Sequence, residues 1–291
     1  MSTTSVEPDA TTSHAPSHIT SRRTVLRAAA WTAPAVSVAV AVPAYAAASG
    51  PVACADATYE IRWASHYNAQ SRTAVAGLVS AAGAGTVGRE PLTMVVSSQF
   101  FGSTVAGSTG GYSNLALSPG NVGGTGRKGL TIMQRATVDE FAAPRSNHRQ
   151  EITLTFSRPV RNLAFKLSDI DANAEPSRWE WYRDGKQWKQ REIKRGQYQD
   201  RVWLSGNPSG ARASVVAGSG TSADPWRSTS TDVDQDPVSG TNGNVTVSYA
   251  GKPASPVYKL TYWNDQEGEL TAQALQGIFL TDLSFTASSC A

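Results

Sequence analysis

The chemistry open to this chain rests on its carboxylates and its indole rings. Counted by twos through "RNLAFKLSDIDAN", residues 161–173, Leu163, Phe165, Leu167, Asp169 and Asp171 fall on one face of a strand. A carboxylate on an apolar face is costly unless it is paired, coordinated or carried to the edge of the core. The expected solution is a strand that ends at Ser168, so that the aspartates accept loop N–H groups. Calcium coordination is the second solution. Pairing with an arginine such as Arg149 or Arg201 is the third. Ile170, pointing away from both aspartates, argues that alternation persists to Asp171.

Acids gather in three places. They are Asp169, Asp171, Asn173 and Glu175; then Asp232, Asp234 and Asp236; then Asn264, Asp265, Glu267 and Glu269. Calcium takes 6–8 oxygen ligands, often from loops between strands. Asp169, Asp171, Asp232, Asp234 and Asp236 are therefore the candidate ligands, with solvated loop acids as the alternative. The middle group opens like a D-x-D-x-D calcium loop. Pro237 stands where that loop needs glycine, and Gly243 where it needs the bidentate acid, which excludes an EF-hand and leaves a looser site.

The indoles form the second candidate surface. "SRWEWYRDGKQWKQREI", residues 177–193, reads as a hairpin turning at Asp184-Gly185. A two-residue turn there pairs Trp181 with Trp188 and puts Trp179, Trp181 and Trp188 on one face. Arg178, Glu180, Tyr182, Lys189 and Arg191 share the other. Burial against a second sheet is the expected fate of the tryptophan face, because a large aromatic surface usually finds a core. The alternative is a solvent-facing platform on which sugar rings stack.

Catalysis has little else to draw on. His66 and His148 are the only histidines after residue 46, and no G-x-S-x-G, H-E-x-x-H, phosphate-binding glycine loop or C-x-x-C occurs. A glycosidase would need two carboxyl groups roughly 5–10 Å apart, a distance the sequence does not give. The expectation is a protein that is not an enzyme.

These groups must be positioned by strands. Short β-rich runs recur between polar, glycine-rich breaks, among them 58–63, 92–100, 129–136, 151–156, 162–170, 200–204, 211–217, 244–250, 257–263 and 277–287. The one alanine-rich helical candidate, 71–85, is interrupted by Gly77, Gly83 and Gly85. Many strands without interleaved helices predict one all-β domain, an antiparallel sandwich of jelly-roll type. A Gly/Ser/Thr/Asp-rich tract, 218–244, is long for a connection and is either functional or mobile.

The address is written at the N-terminus. Arg22 and Arg23 precede apolar residues and Arg27, as in a twin-arginine export signal, and Ala44-Tyr45-Ala46 fits a small-x-small cleavage site. Residues 1–46 are thus expected to be a cleaved signal and 47–291 the exported domain. Pro34 and Pro43 interrupt the apolar run, which argues against a membrane span. Pro51-Val52-Ala53 before Cys54 fits a lipoprotein signal poorly. In an oxidising compartment the only two cysteines, Cys54 and Cys290, are expected to form one disulfide stapling the ends of the domain. A formal net charge of +3 is too small to imply nucleic acid or an anionic membrane as partner.

Several motifs carry a resemblance. "ITLTFSRPVRNLAFKLSDID", "DRVWLSG", "GSGTSADPWRSTST", "NVTVSYAGKPASPVYKLTYWN" and "GIFLTDLSFTAS", in that order, resemble a family of secreted bacterial β-sandwich proteins. Its marks are a strand ending in Asp-Ile-Asp, a Gly-Thr-x-x-Asp-Pro-aromatic loop and a closing strand of the form gI-l-DL-FT. The resemblance covers about residues 150–287. It implies a fold and an extracellular location, with no defined activity, and the tryptophan hairpin stands outside it. The sequence therefore predicts an exported β-sandwich that binds, with calcium as the candidate stabilising ion and extracellular or cell-wall glycan as the candidate partner. A polysaccharide-active enzyme using paired carboxylates and a purely structural or adhesive surface protein are the alternatives. The oligomeric state stays open.

Overall fold

The burial pattern of one strand organises the molecule. Arg149–Ser168 is a single strand of 20 residues. Along its first part the even positions Ile152, Leu154, Phe156 and Val160 are buried, and along its last part the odd positions Leu163, Phe165 and Leu167. The change of parity follows from one extra residue. Asn162 has φ 52°, and the pairing register shifts between Arg161 and Ala164, as at a β-bulge. The bulge keeps both halves facing the same core. The sequence reading placed two strands here, 151–156 and 162–170. The structure joins them, because the bulge absorbs the phase change that looked like a break.

The structure, a computed structural model, describes residues 54–81, 91–138, 140–173, 178–193, 198–230, 235–265 and 275–288. The export signal with Arg22 and Arg23, and also Cys290, Glu175, Asp232, Asp234, Glu267 and Glu269, lie outside them. Among the described residues, 17 strands join in one antiparallel network, and two further hairpins stand apart. No helix there is long and apolar enough to cross a membrane. The fold is all-β and sandwich-like.

The long strand belongs to two ladders in turn. Its first half lies between Thr93–Phe100 and Ser255–Asn264. Its second half lies between Leu283–Ser288 on one side and Val245–Ser248 on the other. The first ladder extends through Tyr198–Leu204 and Trp226–Ser228. The second extends through Asp56–Ile61 to Gly77–Ala81. Pro159 sits where the strand leaves one set of partners for the other, a place that asks for no ladder N–H. At the strand's far end, Leu167 and Ser168 pair with Leu280 and Phe279 of Leu275–Leu280, which in turn pairs with Leu130–Ala136.

The core draws on both ladders and includes Ile61, Met94, Ile132, Ile152, Leu163, Leu167, Val202, Tyr262 and Phe285. The tract 218–244 is neither a simple connection nor a bare loop. It carries the strand Trp226–Ser228, and Trp226 is fully buried. A Cβ on Gly220, whose φ is 74°, would come within 2.4 Å of the Trp226 ring. Glycine is needed there so that the backbone can lie on the indole. Pro225 O of the same Asp-Pro-aromatic segment accepts from Arg227, and Asp224 pairs with Arg227 at 2.7 Å. The motif that resembles the secreted family therefore does structural work in this chain.

Candidate functional site

The long strand ends at Ser168, as expected. Asp169 has φ 70°, so the strand's alternation stops there and does not persist to Asp171. Aspartate tolerates this left-handed conformation better than most residues. Beyond the turn, Ile170 enters the core, its N–H donating to Gly243 O at 3.1 Å. Asp171 is 4% exposed. Its Oδ2 accepts the Gln235 N–H at 2.7 Å, which is the loop-capping role predicted for it. The two candidate arginines pair elsewhere, Arg149 with Glu151 at 3.0 Å and Arg201 with Asp265 at 2.9 Å.

Behind Asp171 lies a carboxyl that the sequence reading passed over. Asp200 is 1% exposed. Its backbone N–H donates to Asp171 O at 3.0 Å, its Oδ2 accepts the Asp171 N–H at 3.2 Å, and its Oδ1 accepts the Tyr262 hydroxyl at 2.7 Å. Burial pushes the Asp200 carboxyl well above the ordinary carboxylate range, and the charge of Asp171 adds to the push. Burial raises the Tyr262 phenol as well, with the Asp200 charge second. The signal was available: in "YQDRVWL" Asp200 shares its face with Val202 and Leu204, the same carboxylate-on-apolar-face pattern that marks Asp169 and Asp171.

Asp171 accepts from Gln235, the residue before Asp236, and Asp200 pairs in register with Asn264 of the third group. Several of these acids are committed to local structure. Asp236 accepts from Val238 N–H at 3.0 Å and from the Ser239 hydroxyl, which holds its carboxyl below the ordinary range. Asn264 accepts the Gln199 N–H at 2.8 Å. Among the described residues no group of three or more His, Cys, Asp or Glu side chains is arranged to hold a metal ion. Asp232 and Asp234 lie outside the described residues.

Asp169 and Asp171 instead line a cavity of about 180 Å³ together with Tyr112, Tyr198, Gln276 and Phe279. The Tyr112 and Phe279 rings lie 5.6 Å apart. Asp200 is not among the residues lining the cavity. Both histidines are occupied elsewhere. His148 accepts the Ser103 N–H at 2.9 Å and stacks on Phe141, and His66 accepts the Arg62 N–H at 3.1 Å.

The tryptophan hairpin corrects the expectation of burial. Arg178–Asp184 and Gln187–Ile193 form a two-stranded sheet of their own, outside the main network. Trp179, Trp181 and Trp188 are 62%, 63% and 65% exposed. They do share a face, but with the strands slipped by two residues from the predicted pairing: Trp181 faces Gln190, and Trp188 faces Arg183. The turn residues are Gly185, at φ 59°, and Lys186, with Asp184 paired to Gln187. Glycine at the first turn position suits a type II′ turn, so Asp184 closes the ladder where the sequence reading put it in the turn. On the opposite face Lys189 pairs with Asp184 at 2.5 Å, and Arg191 lies over the Tyr182 ring at 5.5 Å.

Tyr198, at the start of the strand Tyr198–Leu204, lines the cavity. Ala172 and Asn173 pair with Gln199 and Tyr198. Compared with known proteins, the chain matches no family model, no curated protein and no solved structure.

Proposed function

We propose that the protein is an exported, non-enzymatic glycan-binding module, and that the tryptophan ribbon is its contact surface. The observation that carries this is the exposure of Trp179, Trp181 and Trp188, each above 60%, on one face of a hairpin that stands clear of the core. Contiguous apolar surface left in water marks an interaction site. Indole rings also offer large contact area at low cost in conformational freedom. Trp179 and Trp181 are two residues apart on one strand, roughly 7 Å, so their rings can follow successive units of an extended chain. Sugar rings present C–H faces to such indoles and hydroxyls to water, which a flat exposed face can accept and a closed pocket would not need.

Export through the twin-arginine signal at Arg22 and Arg23 and cleavage after Ala46 belong to the same reading, as does kinship with secreted β-sandwich proteins. A disulfide between Cys54 and Cys290 belongs to the same reading, since Asp56, two residues after Cys54 in the sequence, pairs with Ser288, two residues before Cys290. Among the described residues no cysteine is free.

The test is a glycan array probed with the exported domain, followed by titration of the best binder with Trp188→Ala. Binding to an extended polysaccharide, weakened at least tenfold by the substitution, is the expected result. A domain that binds no glycan, or a variant that binds like the parent, overturns the proposal.

A further inference from the structure

We infer that a groove on the outer face of the second ladder is a binding site of its own, and that it takes a sugar-sized ligand carrying one oxyanion, a carboxylate or a phosphate. The groove has a volume of about 320 Å³, within the range of about 300–1,000 Å³ for small-molecule sites. Its floor follows from the bulge at Asn162. With Leu163, Phe165 and Leu167 turned into the core, Ala164 and Lys166 take the outer face. Ala164 is flanked in register by Ser248 and Ser284, and Lys166 by Thr246. On its other side Lys166 meets Thr281, whose Oγ1 accepts the Lys166 N–H at 2.8 Å and keeps its own hydroxyl proton to donate. Alanine, serine and threonine project little from a sheet, so the floor stays low. The wall is the loop that carries Arg127. It is held in place: Arg127 Nη1 donates to Asp282 Oδ2 at 2.8 Å, and Asp282 Oδ1 accepts the Trp63 N–H at 3.1 Å.

The groove is rich in unused donors. Lys166, Thr246 and Ser284 are exposed, and their side chains make no hydrogen bond or ion pair among the described residues. Of the five N–H groups of the Arg127 guanidinium, one bonds Asp282 and the others bond nothing among the described residues. Asp282 is the one acid among the described residues that line the groove, and both its oxygens are engaged. Arg127 and Lys166 against Asp282 leave one positive charge there. An ammonium, part of a guanidinium and three hydroxyls facing one groove call for an anion with several acceptor oxygens, and charge-assisted bonds to it are the strong kind. A carboxylate and a phosphate offer that same acceptor chemistry. Either would fill only part of the groove, and the low floor of Ala164 and its hydroxyl neighbours is left for the neutral body of a sugar. An uncharged sugar would leave the Lys166 ammonium unanswered, and a cation would be repelled by it.

The experiment is calorimetric titration of the exported domain with glucuronate, a glucose phosphate and glucose, at neutral pH and low ionic strength. At least one of the two acids is expected to bind tenfold or more tighter than glucose, with a preference that shrinks as salt is raised. The tighter acid identifies the source of the oxyanion. Lys166→Ala, at an exposed position, is expected to leave Tm unchanged and to erase the preference, and Lys166→Arg to keep it. Equal affinity for all three probes, binding of none, or a preference that survives Lys166→Ala overturns the inference. Inorganic phosphate binding as tightly as the glucose phosphate overturns the sugar-sized ligand and reduces the groove to an ion site. A domain that binds no polysaccharide on the array can still pass this test, so the ribbon reading and this one fail separately.

Discussion

Two sets of tryptophans meet opposite fates in this chain. Trp63 and Trp226 are fully buried, whereas Trp179, Trp181 and Trp188 lie more than 60% exposed. Trp63 Nε1 donates to Thr281 O at 2.7 Å, and its ring meets Tyr67 edge-on at 5.2 Å. Trp226 fills a space so close that Gly210 and Gly220 both approach its ring, each within 2.4 Å of where a Cβ would stand. Shape and contact decide which tryptophans hold the fold. The ribbon tryptophans stand on a separate two-stranded sheet, outside the main network. The difference teaches that one set is tied to stability and the other is free to meet a partner.

That separation can be broken by substitution. Trp226→Ala is expected to destabilise the domain by about 3–5 kcal/mol, the usual range for removing a large buried aromatic side chain. Chemical denaturation measures it, and a loss below about 1 kcal/mol would deny that Trp226 is a core residue. Gly220→Ala comes next, at about 1–3 kcal/mol, because a new Cβ at φ 74° meets the indole at 2.4 Å. If Gly220→Ala were neutral, the close approach would not be the reason for glycine there.

A third expectation sharpens the contrast between buried and exposed acids. The Asp200 carboxyl is raised by burial and by Asp171, whereas exposed Asp236 is lowered by its turn hydrogen bonds. A raised carboxyl keeps its proton in the folded state where the unfolded chain has lost it. Its contribution to stability is present below the ordinary carboxylate value near 4 and is lost as pH rises toward the folded value. Tm of the parent is thus expected to fall over that window, and Asp200→Asn to flatten the slope. A slope unchanged in the variant would place its origin elsewhere. Trp188→Ala stands last for stability, expected to lie within about 0.5 kcal/mol of the parent, as for an exposed side chain.

Much of this was legible by counting twos. Leu163, Phe165 and Leu167 face the core as read, the strand ends at Ser168, and the three ribbon tryptophans share a face. Parity survived the register error in the hairpin because a slip of two residues between the strands leaves the faces unchanged. Other features lay outside local pattern. The bulge at Asn162 hid the continuity of the long strand, since an extra residue and a strand end look alike in sequence. Asp200 went unread although its face was marked, and its partner Tyr262 lies 62 residues away. The cavity could not be foreseen from any single stretch, because Tyr112, Asp169, Tyr198 and Gln276 come from separate strands and turns. Exposure of the ribbon depends on which surfaces pack together in the fold, which no alternation records.

The most direct test replaces Trp179, Trp181 and Trp188 together by alanine and follows polysaccharide binding by affinity electrophoresis beside Tm. Tm is expected to stay within a few degrees of the parent while retardation by the bound polysaccharide disappears. A triple variant retarded as strongly as the parent would contradict the assignment of the ribbon as the binding surface.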